Sequence, residues 1–460
     1  MSQPATVAVI GAGITGLTAA FRLHQRGLQV KVFERSTRVG GAIRTIREDG
    51  WLAEAGPSSL MFGAPELKQL VRDLGLEPRL LTANPAAKKR FIVCGGKFVP
   101  VPMSPGAFLA TPLFGARTKL SIFTELLTRP RVRTADLSLA ELVRSHFSQT
   151  LVDYAVDPLI AGIYAGDPEK LSVRHAFPSL WEAERSHGSL LRGMLAAAKA
   201  KKARGESSGP APLVSFAGGL QTLPDTIVAQ LPPGAVALNT AVETIIPGRP
   251  HRIVWQDAAG QRQSGEFDTI VLALPASALA QLTFGTLGER PLASLDAIHH
   301  PPVSSLFLGY RREQVAHPLD GFGGLAPGIE HRDVLGILFS STLFPGRAPE
   351  GHVGLTVFAG GMRQPEHARL ATPQLLERIG RDLRELVGAS GAPVFVKHSF
   401  WPKAIPQYQL GYESHLETMT RLEQAHRGLF LGGQVRDGIS VPDCVKAGHR
   451  LAQAAGVAAS

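Results

Sequence analysis

The stretch "TVAVIGAGITGLTAAFRLHQRGLQVKVFER" at residues 6–35 decides the fold. "TVAVI" is a short continuous apolar run, as a strand buried on both faces requires. "ITGLTAAFRLHQRG" has the spacing of an amphipathic helix closed by Gly27, and "QVKVFER" returns to a strand. Together they predict a βαβ unit. Gly11, Gly13 and Gly16 lie where the first strand gives way to the helix. Gly11 permits a tight turn, Gly13 lets a pyrophosphate approach the backbone, and Gly16 lets helix and strand pack closely. The helix N-terminus then offers free N–H groups and partial positive charge to phosphates. Glu34 follows 18 residues after Gly16, where a carboxylate accepts hydrogen bonds from ribose hydroxyls. A lone GxGxxG is weak evidence. With the strands, the helix and the terminal Glu around it, it predicts a nucleotide site.

The next residues select the nucleotide. "RSTRVGGAIRT" carries Arg38, Gly40, Gly41 and Arg44, and "EAGPSS" follows at 54–59. Alone, "VGG" is a simple turn, but a nicotinamide-binding domain needs no such extension. At this spacing the R-x-GG-x-x-R arrangement resembles the superfamily of flavin-containing amine oxidases and protoporphyrinogen oxidases. The resemblance implies non-covalent FAD. It places Gly11, Ala12, Gly13, Ile14, Thr15, Gly16, Glu34, Arg35, Gly41, Ala42, Arg44, Gly56, Pro57, Ser58 and Ser59 at the cofactor. Val242, Trp401, Ile439, Ser440 and Val441 join them from later segments.

Further motifs, in order along nearly the whole chain, resemble the oxygen-dependent protoporphyrinogen oxidases. They are "KRFIVCGGKFVPVP" (89–102), "VDPLIAGIYAGDPEKLSVRHAFPSLWEAERSHGSLLRG" (156–193), "GFGGLAP", "GILFSSTLFPGRAP", "LTVFAGG", "FWPKAIPQYQLGY" and "GLFLGGQVRDGISVPDCVKAG" (428–448). The resemblance implies oxidation of protoporphyrinogen IX to protoporphyrin IX with molecular oxygen, a six-electron reaction yielding hydrogen peroxide, in heme biosynthesis. Coproporphyrinogen III, with four propionates, is the alternative substrate; Lys88, Lys89, Arg90 and Lys97 read equally as cations for its carboxylates or as solvated surface charges.

The implied substrate contacts are Arg90, Ala165, Gly166, Leu325 and Phe339. A porphyrinogen is a large apolar macrocycle edged with carboxylates, so its pocket needs apolar walls and a fixed cation. Arginine pairs bidentately with a carboxylate where lysine cannot. Read without the resemblance, Arg90 is equally a surface arginine, Leu325 and Phe339 are equally core residues, and Ala165–Gly166 is a turn with Asp167 as a helix cap. No catalytic acid or base is expected, because the flavin removes hydride and the pyrrole nitrogens release the protons. His175 and His187 read as surface or capping residues.

The implied fold is α/β plus α: a discontinuous Rossmann-like FAD-binding domain, a substrate domain with a mixed or antiparallel sheet, and a mostly helical domain. The expected segments are 1–82 (FAD), 83–104 (substrate), 105–205 (helical), 213–275 (FAD), 276–424 (substrate) and 425–460 (FAD). "KAKKARGESSGPAP" at 199–212 reads as a linker. The C-terminal glycines and the helix expected from Asp443, itself read as a cap, place the last segment beside the reactive half of the cofactor.

Composition excludes several classes. A chain of 460 residues exceeds one compact core, and 49 glycines with 34 prolines describe a loop-rich globular protein. Cys94 and Cys444 are the two cysteines, without CxxC or histidine clusters, so neither a disulfide scaffold nor a metal site is expected. The net charge of +10 reads equally as attraction for an anionic partner or as a basic surface with no specific one. With 7% aromatics and no nucleic-acid motif, a small acidic substrate or a lipid surface is preferred over nucleic acid. "MSQPATVAVIGAG" lacks a basic n-region, which argues against a signal peptide. No run of about 20 apolar residues is present to span a membrane. The region 105–130, with its apolar-basic "GAFLATPLFGARTKLSIFTELL", suits either peripheral contact with the inner face of the cell membrane or a lid over the site. A cytoplasmic location follows, and a homodimer stays open. Amine oxidases and carotenoid desaturases share the N-terminal motifs but not "YAGDPEKLS" or "AIPQY". A non-enzymatic nucleotide-binding protein would not need the second cofactor segment.

Overall fold

The computed structural model describes residues 5–127, 133, 135–204 and 211–459; residues 205–210 of the expected linker lie outside the described residues. Helices and sheets are mixed throughout. The first strand, Thr6–Ile10, stands at the centre of a five-stranded parallel sheet. Its order is Val236–Ala237, Gln29–Phe33, Thr6–Ile10, Thr269–Leu272 and Leu429–Leu431. The sheet therefore draws on the beginning, middle and end of the chain. Helices Ile14–Gln25 and Val441–Ala459 cover one face, joined by buried Leu17, Leu23, Val445 and Leu451. On the other face Ala8 and Ile10 pack into a second core with Ile253 and Leu279, so both faces are covered and the first strand is an unbroken apolar run.

A four-stranded sheet of Arg262–Phe267, His251–Gln256, Ala241–Ile246 and Thr283–Phe284 adjoins it. Phe33 links the two sheets, 5.0 Å from the Trp255 ring and 5.8 Å from that of Phe267. Thr283–Phe284 pairs with Ala241–Ile246, so this sheet takes chain from both sides of the boundary expected after residue 275.

The third large element is a seven-stranded sheet in the order Phe395–Trp401, Val303–Arg311, His352–Gly360, Gly336–Leu338, Gly321–Leu325, Lys89–Cys94, Lys97–Pro100. All its pairs are antiparallel except Gly321–Leu325 with Lys89–Cys94. Side chains alternate between its faces. One face carries Phe91, Val93, Leu306, Leu308, Ile337, Leu355 and Val357 into a core with Leu375, Ile379 and Leu383 of helix Thr372–Val387. The other carries Arg90, Ile92, Leu325, Gly336, Phe358, Val303 and Trp401, aligned by the register Ile92↔Leu325↔Gly336↔Phe358 and Gly360↔Val303↔Trp401.

Phe339 follows Leu338 on the first of these faces. It is fully buried, with ring centroids of His317, Phe98 and Phe91 at 5.3, 6.2 and 6.3 Å. This corrects the substrate contact expected for it: strand alternation points Phe339 away from Arg90 and Leu325, into the sheet–helix core.

The described residues within 105–203 are mostly helical, and buried polar groups pin the helices together. His146 stands between Glu125 at 3.0 Å and Glu184 at 2.9 Å, and Glu184 also accepts from Arg133 Nε at 2.8 Å. Helix Asp157–Tyr164 reaches the seven-stranded sheet, where Arg363 Nη2 meets Asp157 Oδ2 at 2.6 Å. Asp167 caps no helix; its Oδ1 accepts from Glu169 N at 2.9 Å inside the turn.

Replacing Phe339 by alanine should cost roughly 3–5 kcal/mol of stability in chemical denaturation. A loss below about 1 kcal/mol would return this ring to a ligand-facing role.

Candidate functional site

The glycine turn is built by close backbone approach. A Cβ on Gly16 would lie 2.0 Å from Gly11 O, and one on Gly11, whose φ is +104°, would lie 2.5 Å from Ala273 O. At Gly13 no atom lies within 4 Å of the Cβ position. Two glycines therefore close the strand–helix junction while the third keeps its outer side open. The second glycine pair runs against this turn. Gly40 N donates to Ala12 O at 2.8 Å, and a Cβ on Gly41 would stand 3.2 Å from Gly13 Cα. Arg38 braces that crossing by donating to the carbonyls of Gly41 at 2.5 Å, Ile43 at 2.8 Å and Val39 at 3.2 Å. Burial and the neighbouring Arg44 charge hold its guanidinium below the usual value. Arg44 itself is exposed and unpaired among the described residues.

Glu34 closes the other side of the turn. Its Oε2 accepts from Ala12 N at 2.8 Å and its Oε1 from Ser36 N at 2.9 Å. Thr240 N donates to Glu34 O at 2.8 Å, which brings the strand bearing Val242 alongside; Arg35 is exposed next to it.

The segment 54–59 attaches to the same centre. Ala55 N donates to Arg44 O at 2.9 Å, Trp401 Nε1 donates to Ala55 O at 2.8 Å, and a Cβ on Gly56 would lie 2.0 Å from Ala42 O. Trp401 thus links the seven-stranded sheet to the glycine loops. At the far end of the chain, a Cβ on Gly448 would be 2.6 Å from Thr15 O, so the second turn of helix Val441–Ala459 packs on the first turn of helix Ile14–Gln25. Ser440 caps the second helix and Asp443 returns the bond: Asp443 N donates to Ser440 Oγ at 3.2 Å, and Ser440 Oγ to Asp443 Oδ2 at 2.5 Å. Pro57, Ser58, Ser59 and Ile439 are partly exposed beside these contacts.

Two tyrosines missed by the sequence reading hold the C-terminal loop. Tyr408 Oη donates to Gln434 O and accepts from Gly438 N at 3.1 Å, and Tyr412 Oη donates to Val435 O at 2.7 Å. "PQYQLGY" places both on one segment, but their acceptors lie more than twenty residues later.

The other expected residues gather on the second face of the seven-stranded sheet. Arg90 is exposed, with its guanidinium carbon 5.5 Å from the Phe322 ring centroid. Leu325 is half-buried and leans over Gly336, where a Cβ would be 2.8 Å from Leu325 Cδ2. Ala165 ends helix Asp157–Tyr164 in the left-handed conformation at φ 48°, and its carbonyl accepts from Met362 N at 2.8 Å. Gly166 lies under Gln407, whose Oε1 is 2.5 Å from the Cβ position. Phe358, missed from sequence, shares this face and packs with Ala161, Ala165, Val303 and Leu335. The alternation of "LTVFAGG" held the signal for it.

These donors fit an extended phosphorylated nucleotide: open backbone at Gly13, an acidic side chain at the neighbouring strand end, and adjoining helix N-termini. Among the described residues no cluster of His, Cys, Asp and Glu could hold a metal ion, and no helix is long and apolar enough to cross a membrane.

The family model for flavin containing amine oxidoreductases matches residues 14–455. The chain is 34% identical over 471 residues to protoporphyrinogen oxidase 2, chloroplastic/mitochondrial, of Arabidopsis thaliana, covering 97% of this chain and 92% of that one. It is 28% identical to the coproporphyrinogen III oxidase of Bacillus subtilis (strain 168), covering 96% of each. A solved structure from Exiguobacterium sp. 255-15, provisionally identified as a protoporphyrinogen oxidase, superposes with a TM-score of 0.82 at 23% identity over 99% of both chains.

Cys444 stands in the first turn of the C-terminal helix, fully enclosed, and burial pushes its thiol up to about 12. Below that value it stays protonated and unreactive. In a Cys94→Ser variant, DTNB at about pH 8 should label no thiol before unfolding and Cys444 afterwards. Prompt labelling of the native variant would place Cys444 at the surface.

Proposed function

We propose that this chain, which belongs to the flavin containing amine oxidoreductase family, oxidises protoporphyrinogen IX to protoporphyrin IX with molecular oxygen in porphyrin and heme biosynthesis. Family membership makes it a flavin-dependent oxidoreductase. We assign the flavin as FAD, held without a covalent bond, since the buried thiol of Cys444 is not presented for attachment. Gly11 to Gly16, Glu34 and Val242 would hold its ADP half. Arg35, Gly41, Ala42, Arg44, Gly56 to Ser59, Trp401 and Ile439 to Val441 would line the rest. When bound, the flavin supplies the hydride acceptor.

The observation that carries this reading is the shared sheet face: Arg90 and Leu325 at one end, Phe358 between, and Trp401 at the end tied to the glycine loops. Arg90 would pair with a propionate carboxylate. Leu325 and Phe358 would lie against the macrocycle, with the Ala165–Gly166 backbone closing one edge. These side chains orient the substrate and exclude water, and no protein acid or base is required because the pyrrole N–H groups give up their own protons.

Of the four cations named from sequence, Lys89 is engaged, paired with Asp320 at 2.5 Å, while Lys88, Arg90 and Lys97 carry no ion pair among the described residues. Lys397 is paired with Glu48 at 2.5 Å and Arg363 with Asp157 at 2.6 Å.

Peripheral contact with the inner face of the cell membrane is part of the proposal. Leu109, Leu120, Phe123, Leu127 and Leu195 are exposed in the helical segment, near Arg117, Lys199, Lys201 and Lys202 in sequence. Such a mixture suits an anionic lipid surface and a sparingly soluble product.

Replacing Arg90 by alanine should raise KM for protoporphyrinogen IX about tenfold or more with flavin content unchanged. Loss of flavin with normal porphyrinogen binding would reverse the assignment. Comparison of kcat/KM for both porphyrinogens, prepared anaerobically and assayed with oxygen, should favour protoporphyrinogen IX. A preference for coproporphyrinogen III would overturn the substrate assigned, and a reaction without hydrogen peroxide would overturn the oxidase reading. Glu34→Ala should weaken FAD retention about tenfold, measured by flavin fluorescence on dilution; unchanged affinity would remove Glu34 from the site.

A further inference from the structure

The motif "GILFSSTLFPGRAP" ends near Arg347, which none of the assignments above uses. Its side chain is buried, at 2% relative exposure, a rare state for arginine. Nη2 donates to Ser215 Oγ at 2.6 Å and stands 3.7 Å from Glu54 Oε1. The guanidinium carbon lies 5.5 Å from the Phe344 ring centroid. Nη1 is buried without a hydrogen-bond partner among the described residues. Glu54 is buried as well, accepting from Thr45 Oγ1 at 2.7 Å and Leu220 N at 2.8 Å. Burial pushes the Glu54 carboxyl up and the Arg347 guanidinium down, and each charge opposes the shift of the other. Neither group keeps its charge comfortably alone.

The pair stands where two parts of the molecule meet. Glu54 runs directly into Ala55–Ser59, the loop that Trp401 and Ala42 hold at the glycine turn. Arg347 follows the strand Gly336–Leu338 of the seven-stranded sheet. Between them is a cavity of about 10 Å³ lined by Arg347, Glu54, Ser58, Ser340 and Thr356 among others. That volume admits a single water; Leu52, Phe307, Leu343 and Phe344 complete the lining, so its partners would come from Arg347, Glu54 and Ser58.

We propose that Arg347 is a positioning residue for the loop 55–59, acting through the charge of Glu54 and through one water that links Nη1 to the wall containing Ser58. The inference rests on the assignment of that loop to FAD. Arg347 itself contacts neither cofactor nor substrate. It sets the distance between the cofactor loop and the substrate-facing sheet by requiring Glu54 to remain opposite it.

The test uses the full-length holoprotein and four variants: R347Q, E54Q, the R347Q/E54Q double and G13V. FAD dissociation constants, the flavin visible spectrum and its midpoint potential are measured, with circular dichroism as the check on folding. R347Q and E54Q should each weaken FAD binding about tenfold and shift the flavin spectrum, because each leaves one buried charge uncompensated. The double variant should return to within about threefold of the wild type, since a neutral pair replaces a broken ion pair. Wild-type affinity, spectrum and potential in the single variants would overturn the inference, as would losses that simply add in the double. Should R347Q fail to fold, E54Q and the double decide it by the same criteria. G13V separates the two readings: if it retains FAD, the cofactor assignment falls; if it loses FAD while R347Q and E54Q do not, only the role of Arg347 falls. A crystal structure of the wild type should show one water bonded to Nη1, and an empty cavity would overturn the water link.

Discussion

The architecture depends on a place where no side chain can exist. Gly11 O lies 2.0 Å from the Cβ position of Gly16, so the first helix starts closer to the first strand than any alanine would allow. That approach puts the helix N-terminus at the strand end with Gly13 open beside it. Gly448 repeats the device 2.6 Å from Thr15 O, and so the C-terminal helix can lay its second turn against the same spot. The five-stranded sheet closes from both ends of the chain because these contacts are backbone to backbone.

Strand alternation is the second constraint. The seven-stranded sheet cannot offer both faces to a ligand, since Phe91, Val93, Ile337, Phe339, Leu355 and Val357 are consumed by the core with helix Thr372–Val387. What remains is the face of Arg90, Leu325, Phe358 and Trp401, and Trp401 ties it to Ala55 at 2.8 Å. That hydrogen bond, with the Arg347–Glu54 and Lys397–Glu48 pairs, ties the sheet that would orient a substrate to the loops that would hold a cofactor.

These constraints explain what could be read from sequence. The glycine spacing at 11, 13 and 16 is a local pattern with a local cause, and the strands and first helix it announces are where it puts them. The hairpin Thr45–Glu48 with Trp51–Glu54 and the helix Glu413–Ala425 went unread: the first is too short for a period, and the helix has few apolar positions. The misplacement of Phe339 has a different origin. "GILFSS" identifies a strand but not which parity faces the core, and that parity is set by a helix more than thirty residues later. Tyr408, Tyr412 and Arg347 were invisible as functional candidates for the same reason: their partners Gln434, Val435, Glu54 and Ser215 are distant in sequence.

The titratable groups around the C-terminal loop show what chemistry the chain contributes. Burial raises the phenols of Tyr164, Tyr408 and Tyr412, and the carboxylate of Asp443 adds to the effect on Tyr164. All three therefore remain neutral near neutral pH. Tyr408 and Tyr412 spend their O–H groups on the carbonyls of Gln434 and Val435. These phenols therefore hold the loop and take no part in proton transfer near neutral pH. On the proposed reading, the protein's part is to pack the site closely, with Arg90 at the other end of the sheet face from Trp401, where it would hold a carboxylate away from the chemistry.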